Sequence, residues 1–515
     1  MSRSTAVTPV TNYDRHSGIL VHPTCFPSPY GIGDLGKGAY DFIDYLVDAG
    51  QTLWQILPLG PTGFGDSPYQ GFSAFAGQPL LISPDKLFDL GLVSQKDLDN
   101  YPVLNPKRVE FGSVIQAKTT LLKAAFNNFN RLDKSCELYT QYEQFCKKQA
   151  FWLDDYALFM ALKDKNEGKL WLEWSDAERN PTDTDKSSFS KSLSDGVSYY
   201  KTVQFLFFMQ WYELKKYANE HLIKIIGDIP IFVSLDSSDV WANKKMFQLD
   251  SKGYPIVVAG VPPDYFSETG QLWGNPLYDW DAHEKDNYSW WISRVKSQLD
   301  LVDIIRIDHF RGFDSYWAVP YGEETAINGE WKDGPKEKLF NAIEKALGKL
   351  PIWAEDLGVI TDEIKELRDK FNFPGMKVLQ FAFDDPNDND MMPYYHIPNC
   401  ICYTGTHDND TSLGWYKHAG KESQKKVRSY MNTGAATVSW AFIHTALASS
   451  ANNVIIPLQD IMSLDSNARM NTPGKASGNW SWRYEAKDLD IYWANYLKKL
   501  TLTFNRNLCR RDNEV

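Results

Sequence analysis

The stretch Ile304-Ile305-Arg306-Ile307-Asp308-His309-Phe310-Arg311-Gly312 alternates apolar and charged residues as a strand does, so Arg306 and Asp308 share one face. A carboxylate beside a guanidinium is expected to stay ionised, its pKa lowered by the cation, and an ionised carboxylate can act as a nucleophile. A lone Arg-x-Asp is more often a structural ion pair. Two further acids change the balance. Pro351-Ile352-Trp353-Ala354-Glu355-Asp356-Leu357-Gly358 ends a second apolar run on Glu355, where burial would raise the pKa toward the range of a general acid. Tyr403-Thr404-Gly405-Thr406-His407-Asp408-Asn409-Asp410 ends a third on Asp408. Three carboxylates of differing expected pKa are the layout of a glycosidase: one protonates the leaving oxygen, one attacks the anomeric carbon, and one grips sugar hydroxyls. A divalent-metal site would use the same residue types, but Arg306 already sets a cation beside Asp308. We therefore expect no metal and no cofactor.

These acids need a scaffold that brings strand ends together. Short apolar runs rich in β-branched residues, ending in Gly, Pro, Asp or Asn, occur at 18–25, 52–59, 223–233, 301–310, 351–357, 376–383, 399–406 and 452–458. Eight such runs, with amphipathic helical stretches between them at 36–50, 334–347 and 361–371, fit an α/β fold of the (β/α)8 barrel type. Thr361 stands as the N-cap of the last of these helices. Periodicity alone also fits an open doubly wound sheet. Charge placement favours the barrel, because each polar cluster follows the C-terminal end of a run. About 160 residues separate the second and third runs, far more than a crossover needs. We expect a single catalytic domain over 1–515, with a helix-rich insertion at 60–222, a substrate-covering insertion at 234–300, a closing helix at 479–500 and no separate C-terminal β-sandwich.

Composition narrows the function classes. The net charge is −12 with 66 acidic against 54 basic residues, which repels phosphate backbones and anionic lipid heads and excludes nucleic-acid or membrane-surface binding. The N-terminal MSRSTAVTPVTNYDR lacks the apolar core of a signal peptide, no apolar stretch is long enough for a bilayer, and the six cysteines form no CxxC pair. Cys400 and Cys402 alternate on one strand face and read as reduced core thiols. The chain reads as soluble and cytoplasmic. Aromatic residues reach 14%, enough to fill a large core and also to stack on the apolar faces of sugars.

The run Leu57-Pro58-Leu59-Gly60-Pro61-Thr62-Gly63-Phe64-Gly65-Asp66-Ser67-Pro68-Tyr69 resembles the 4-α-glucanotransferases of glycoside hydrolase family 77, also called amylomaltases or disproportionating enzymes. So do the motifs at 306–312, 353–358 and 406–409, Gly260-Val261-Pro262-Pro263-Asp264-Tyr265-Phe266-Ser267 and Gln271-Leu272-Trp273-Gly274-Asn275-Pro276. The resemblance runs from about Gly18 to Asn479, nearly the whole chain and in family order. It implies that Asp308 is the nucleophile of a retaining double displacement, Glu355 the general acid/base, and Asp408 the residue that grips the reacting glucose and stabilises the transition state. It implies that Arg306 holds Asp308 ionised, that His309 and His407 bind sugar beside the cut, and that Tyr69 stacks beneath the glucose with Ser67 nearby. Asp228 matches the third-strand acid, and Asn471 falls in a stretch contacting donor sugar.

Acceptor binding in the 260–275 loop is expected from Tyr265, Phe266 and Trp273 as stacking rings with Asp264 and Gln271 as polar grips. Such a loop makes transfer to a sugar hydroxyl plausible against water. Phe64 stands where better-known members often have Tyr in a second glucan-binding spot, keeping the ring and losing the hydroxyl. The implied partners are α-1,4-glucans and maltooligosaccharides, and the chain is expected to be a monomer or homodimer. An α-amylase-like hydrolase and a non-catalytic glucan-binding protein are the rival readings. Asp384-Asp385-Pro386-Asn387-Asp388-Asn389-Asp390 lacks the glycine and terminal Glu of an EF-hand loop and reads as an Asx-rich surface turn.

Overall fold

The computed structural model describes residues 15–263, 267–384, 389–475 and 477–506. Asp264, Tyr265, Phe266, Cys509 and the Asp385–Asp388 part of the acidic turn lie outside them, as does the side chain of Phe64. The described residues form β1 (His16–Leu20), β2 (Leu53–Gln55), β3 (Lys224–Pro230), β4 (Val257–Val261), β5 (Gln271–Pro276), β6 (Ile304–Asp308), β7 (Ser315–Pro320), β8 (Glu330–Asp333), β9 (Ile352–Ala354), β10 (Gly375–Val378), β11 (Cys400–Tyr403) and β12 (Asn453–Pro457).

Eight of these close into a barrel in the order β1-β12-β11-β10-β9-β6-β3-β2, every neighbouring pair parallel. All eight expected runs supply one barrel strand each. Their residues are buried almost throughout, as strands covered by helices outside and packed side chains inside must be. Inside the barrel, the Tyr403 hydroxyl of β11 donates to Gln55 Oε1 of β2 at 2.8 Å, so two buried polar groups satisfy each other. Cys400 and Cys402 are free and buried. Among the described residues no helix is long and apolar enough to cross a membrane.

Three expected boundaries shift. The run 18–25 leaves the strand at Leu20 and turns through a 3-10 segment at Pro23–Cys25, because Pro23 has no N–H to give a ladder. The run 376–383 is strand only to Val378, and Leu379–Asp384 is helix; an all-apolar run carries no period to separate the two. The closing helix is Ile491–Thr503, capped by Asp490 accepting from the Tyr492 N–H, while the expected first turns at 479–490 hold only the 3-10 segment Ala486–Asp488. Thr361 occupies the N-cap position of Asp362–Lys370 but makes no side-chain cap bond to the helix backbone.

The long segment between β2 and β3 carries the helices Phe111–Phe129, Glu137–Lys165 and Ser194–Glu220. The remaining four strands form an antiparallel sheet in the order β5-β4-β7-β8, joining the loop after β3 to the loop after β6. Strands β7 and β8 had no expectation in the sequence; β8 in particular reads Glu-Trp-Lys-Asp, with charged residues around its one aromatic.

Candidate active site

The barrel register sets the site. Asp228 on β3 pairs with Arg306 on β6, and Arg306 pairs in turn with Trp353 on β9. Ile307 pairs with Ala354, so the next residues along, Asp308 and Glu355, finish neighbouring strands at the same rim. Asp408 follows β11 in the loop at that end of the barrel.

Arg306 is buried and shared. Its Nη1 donates to Asp228 Oδ2 at 2.5 Å and to Asp308 Oδ1 at 3.1 Å. Burial alone would weaken its charge, but the two carboxylates overcome that and hold the guanidinium protonated. This arrangement corrects the expectation for Asp308. Burial raises its pKa above the ordinary carboxylate range; Arg306 opposes the rise, and the negative charge of Asp228 adds to it. Arg306 gives its shorter contact to Asp228, and its pull on Asp308 is outweighed by burial. The Asp308 side chain keeps 31% of its surface open, so water still reaches it.

Glu355 is held by two backbone donors, His309 N–H to Oε2 and Leu357 N–H to Oε1, each at 2.7 Å. Burial nevertheless raises its pKa, and the neighbouring charge of Asp308 raises it further, against Arg306 and the two N–H groups. The expected elevation is therefore present. His309 reaches Glu355 because its own backbone is left-handed, with φ +54°, a conformation that costs a non-glycine residue about 1 kcal/mol. The turn immediately after Asp308 thus points its N–H back at Glu355. Burial pushes the His309 imidazole down to about 3, leaving it neutral.

Asp408 is the most open of the three acids, with 49% of its side chain exposed. Asn471 Nδ2 donates to its Oδ1 at 2.6 Å, and His407 Nε2 lies 3.5 Å from the same oxygen. Tyr69 stacks on His407 with ring centres 5.2 Å apart, and its hydroxyl donates to Asp228 Oδ2 at 2.8 Å. Ser67 Oγ accepts from the Tyr69 N–H at 3.2 Å, which makes it a brace for the turn presenting that ring. Trp273 meets His309 edge-on at 4.8 Å, and its indole N–H donates to Gln271 Oε1 at 3.2 Å. The tertiary structure therefore gathers Asp228, Arg306, Asp308, Glu355, His309, Trp273 and Gln271 in one set of contacts and Ser67, Tyr69, His407, Asp408 and Asn471 in another, joined by the Tyr69 hydroxyl on Asp228.

Further residues of this cluster had no place in the sequence reading. Trp480 packs within 5.8 Å of Tyr69 and 6.0 Å of His407, with a left-handed backbone at φ +61°. The alternating aromatics of Trp480-Ser481-Trp482-Arg483-Tyr484 were the available signal. Arg469 Nη2 donates to the Asp408 carbonyl at 2.5 Å and its Nε to the Asn471 carbonyl at 2.7 Å, clamping the two loops together. Asp228 Oδ1 is buried without a hydrogen-bond partner among the described residues, beside a pocket that Tyr69, Phe232 and Arg294 also line.

A family model described as 4-alpha-glucanotransferase matches residues 21–489. The chain is 49% identical over 507 residues to a 4-alpha-glucanotransferase of Synechocystis sp., covering 97% of this chain and 99% of the relative. It is 47% identical to a 4-alpha-glucanotransferase of Thermus thermophilus, over 91% of this chain and 94% of that one. The structure is similar to that of an amylomaltase from Streptococcus agalactiae in complex with acarbose, with a TM-score of 0.92 and 38% identity, covering 96% of this chain and 100% of the other.

Proposed function

The chain belongs to the 4-alpha-glucanotransferases of glycoside hydrolase family 77, whose reaction is α-glucan transfer, and we propose that Asp308, Glu355 and Asp408 carry that transfer out as a retaining double displacement. One observation supports the assignment above the others: two carboxyls at adjacent strand ends sit in unlike environments. Glu355 is desolvated beside the like charge of Asp308, whereas Asp308 faces Arg306 directly. The pair therefore separates into an acid that keeps its proton to higher pH and a carboxylate that gives its proton up first.

In the first step Asp308 attacks the anomeric carbon while protonated Glu355 gives its proton to the departing glucan oxygen. The glycosidic bond breaks and a β-glucosyl ester forms on Asp308. In the second step ionised Glu355 takes the proton of an acceptor 4-hydroxyl, whose oxygen displaces Asp308 and restores the α-1,4 bond. This geometry requires the two carboxyl groups roughly 5 Å apart. Asp408, steadied by Asn471, takes the hydroxyls of the reacting glucose on this reading, with Tyr69 as the ring beneath it. Trp273, Gln271 and His309 form the acceptor side, together with Asp264, Tyr265 and Phe266, which lie outside the described residues. The substrates on this reading are maltooligosaccharides and longer α-1,4-glucans.

Incubating the purified protein with maltotriose and resolving products by length tests the reading. Glucose with a ladder of longer maltooligosaccharides, at a constant number of reducing ends, is the expected outcome. Glucose and maltose alone, with reducing ends rising, would make the chain a hydrolase on the same scaffold.

A further inference from the structure

Asp408 does not set its own position. It lies beyond the end of β11, in irregular backbone, with its side chain half exposed. Among the described residues no lysine or arginine pairs with its carboxylate. Its own loop gives it one bond, from the Asp408 N–H to Thr406 Oγ1 at 3.3 Å. The rest of its support comes from another loop, the one that follows β12. These two loops are joined at three levels. At the first, buried Asp460 accepts from the Thr404 hydroxyl at 2.6 Å and from the Ser412 N–H and hydroxyl at 2.7 Å each. At the second, the Ser466 hydroxyl donates to Asp410 Oδ2 at 2.6 Å. Only the third touches Asp408.

That third level is a closed ring of hydrogen bonds. The Arg469 guanidinium offers two N–H groups along one edge, Nη2 to the Asp408 carbonyl at 2.5 Å and Nε to the Asn471 carbonyl at 2.7 Å. Asn471 completes the ring, its Nδ2 donating to Asp408 Oδ1 at 2.6 Å. The Asn471 N–H also donates to the His407 carbonyl at 3.1 Å, so the residue before Asp408 is held by the same segment. The segment is itself fixed. Met470, between the two, is buried, and its carbonyl accepts from the Trp480 N–H at 2.8 Å.

We propose that Arg469 is a positioning residue for the transfer reaction: its fork sets the backbone of Asp408 against that of Asn471, and so sets where the Asp408 carboxylate meets the reacting glucose. The proposal rests on the transferase reading above. Two observations separate this role from general loop anchoring. The loops are already tied through Asp460 and Ser466, so their attachment does not depend on a third tie. Both carbonyls that Arg469 bridges belong to the pair that orients the carboxylate. Lysine cannot take over, because an ammonium donates from one point whereas the planar fork spans two acceptors. A group that binds more tightly in the transition state than in the ground state, once misplaced, is lost from kcat rather than from KM. A displacement of about 1 Å costs up to about 100-fold.

The test compares wild type with Arg469→Ala, Arg469→Lys, Ser466→Ala, Asn471→Ala and the double variant Arg469→Ala/Asn471→Ala. Each is assayed for disproportionation of maltotriose and melted thermally. Arg469→Ala should lower kcat by about 10- to 100-fold with KM within about twofold of wild type. Arg469→Lys should recover only a small part of the loss. Ser466→Ala cuts a tie between the same two loops without touching Asp408, and should leave kcat close to wild type even where its melt falls as far. The double variant should be little slower than the worse single variant, because both act through Asp408. A loss confined to KM, an equal kcat loss in Ser466→Ala, full activity in Arg469→Lys, or single effects that multiply in the double variant would each overturn the proposal. If wild type releases glucose but builds no longer maltooligosaccharides, the transferase reading fails. The rate of glucose release then still ranks Arg469→Ala against Ser466→Ala and decides for or against the positioning role.

Discussion

Replacing Asp228 with Asn should make Asp308 a stronger acid. Asp228 and Asp308 meet on one nitrogen of Arg306 at 2.5 and 3.1 Å, so the two contacting oxygens are at most about 5.6 Å apart. Two like charges about 5 Å apart repel by roughly 3 kcal/mol at an effective dielectric near 20. Nearly a third of the Asp308 side chain is open to water, at 31%, and screening should bring this to about 1–2 kcal/mol, or roughly one pKa unit. Removing the charge of Asp228 frees Arg306 to serve Asp308 alone, and both changes favour the ionised form. The acid limb of kcat/KM reports ionisation of the nucleophile in the free enzyme, so it should move to lower pH by about one unit. A carboxylate held more tightly by its cation is also a weaker nucleophile, and kcat on the plateau should fall by about tenfold or more. The assay is transfer from maltotriose across the pH range, with a thermal melt at each pH to show that the variant is folded where it is measured. An acid limb that stays in place, or moves up, would refute the shared-guanidinium account.

Asp308→Asn and Glu355→Gln should each abolish turnover while leaving the circular dichroism spectrum unchanged; wild-type activity in either would remove its assigned role. Glu355 also makes a stability prediction. Its folded pKa lies above its unfolded one, so between the two the folded state holds a proton that the unfolded chain releases, and stability falls as pH rises through that window. Glu355→Gln should flatten that fall in thermal melts above the ordinary carboxylate range, and an unchanged slope would contradict the raised value. Asn471→Ala removes a hydrogen bond to a carboxylate, a loss of about 1.5–3 kcal/mol, and should lower kcat/KM for maltotriose by about 10- to 100-fold. A near-normal rate would mean Asp408 orients without it. Tyr403→Phe strands the buried Gln55 carbonyl inside the barrel at about 1–3 kcal/mol. It should lower the urea midpoint with little effect on KM, and an unchanged midpoint would contradict it.

The barrel was legible because each strand is short, apolar on both sides and ended by a residue that breaks it. The three acids were legible because each stands at the end of such a run, as with Asp308 after Ile304-Ile305-Arg306-Ile307. The four-stranded sheet was not: β8 reads Glu-Trp-Lys-Asp, with no apolar face to mark it as a strand. Trp480 and Arg469 were missed for a related reason. They act from irregular backbone, where neither the two-residue nor the 3.6-residue period operates, and Trp480 even takes a left-handed conformation unusual for its type.

What the sequence determined alone was the set of chemical groups and the rim on which they fall, since side-chain alternation and strand-ending residues are local properties of the chain. Which group neighbours which was decided only by the closed barrel. Arg306 and Asp308 are two residues apart, and sequence proximity argued for a depressed carboxyl. Burial at the closed rim raises that carboxyl despite Arg306, and the register of β3 against β6 brings in Asp228 from 78 positions upstream, whose charge adds to the rise. Electrostatic energy depends on distance through space and on the solvent excluded from it, and neither quantity is defined until the strands have closed around the site.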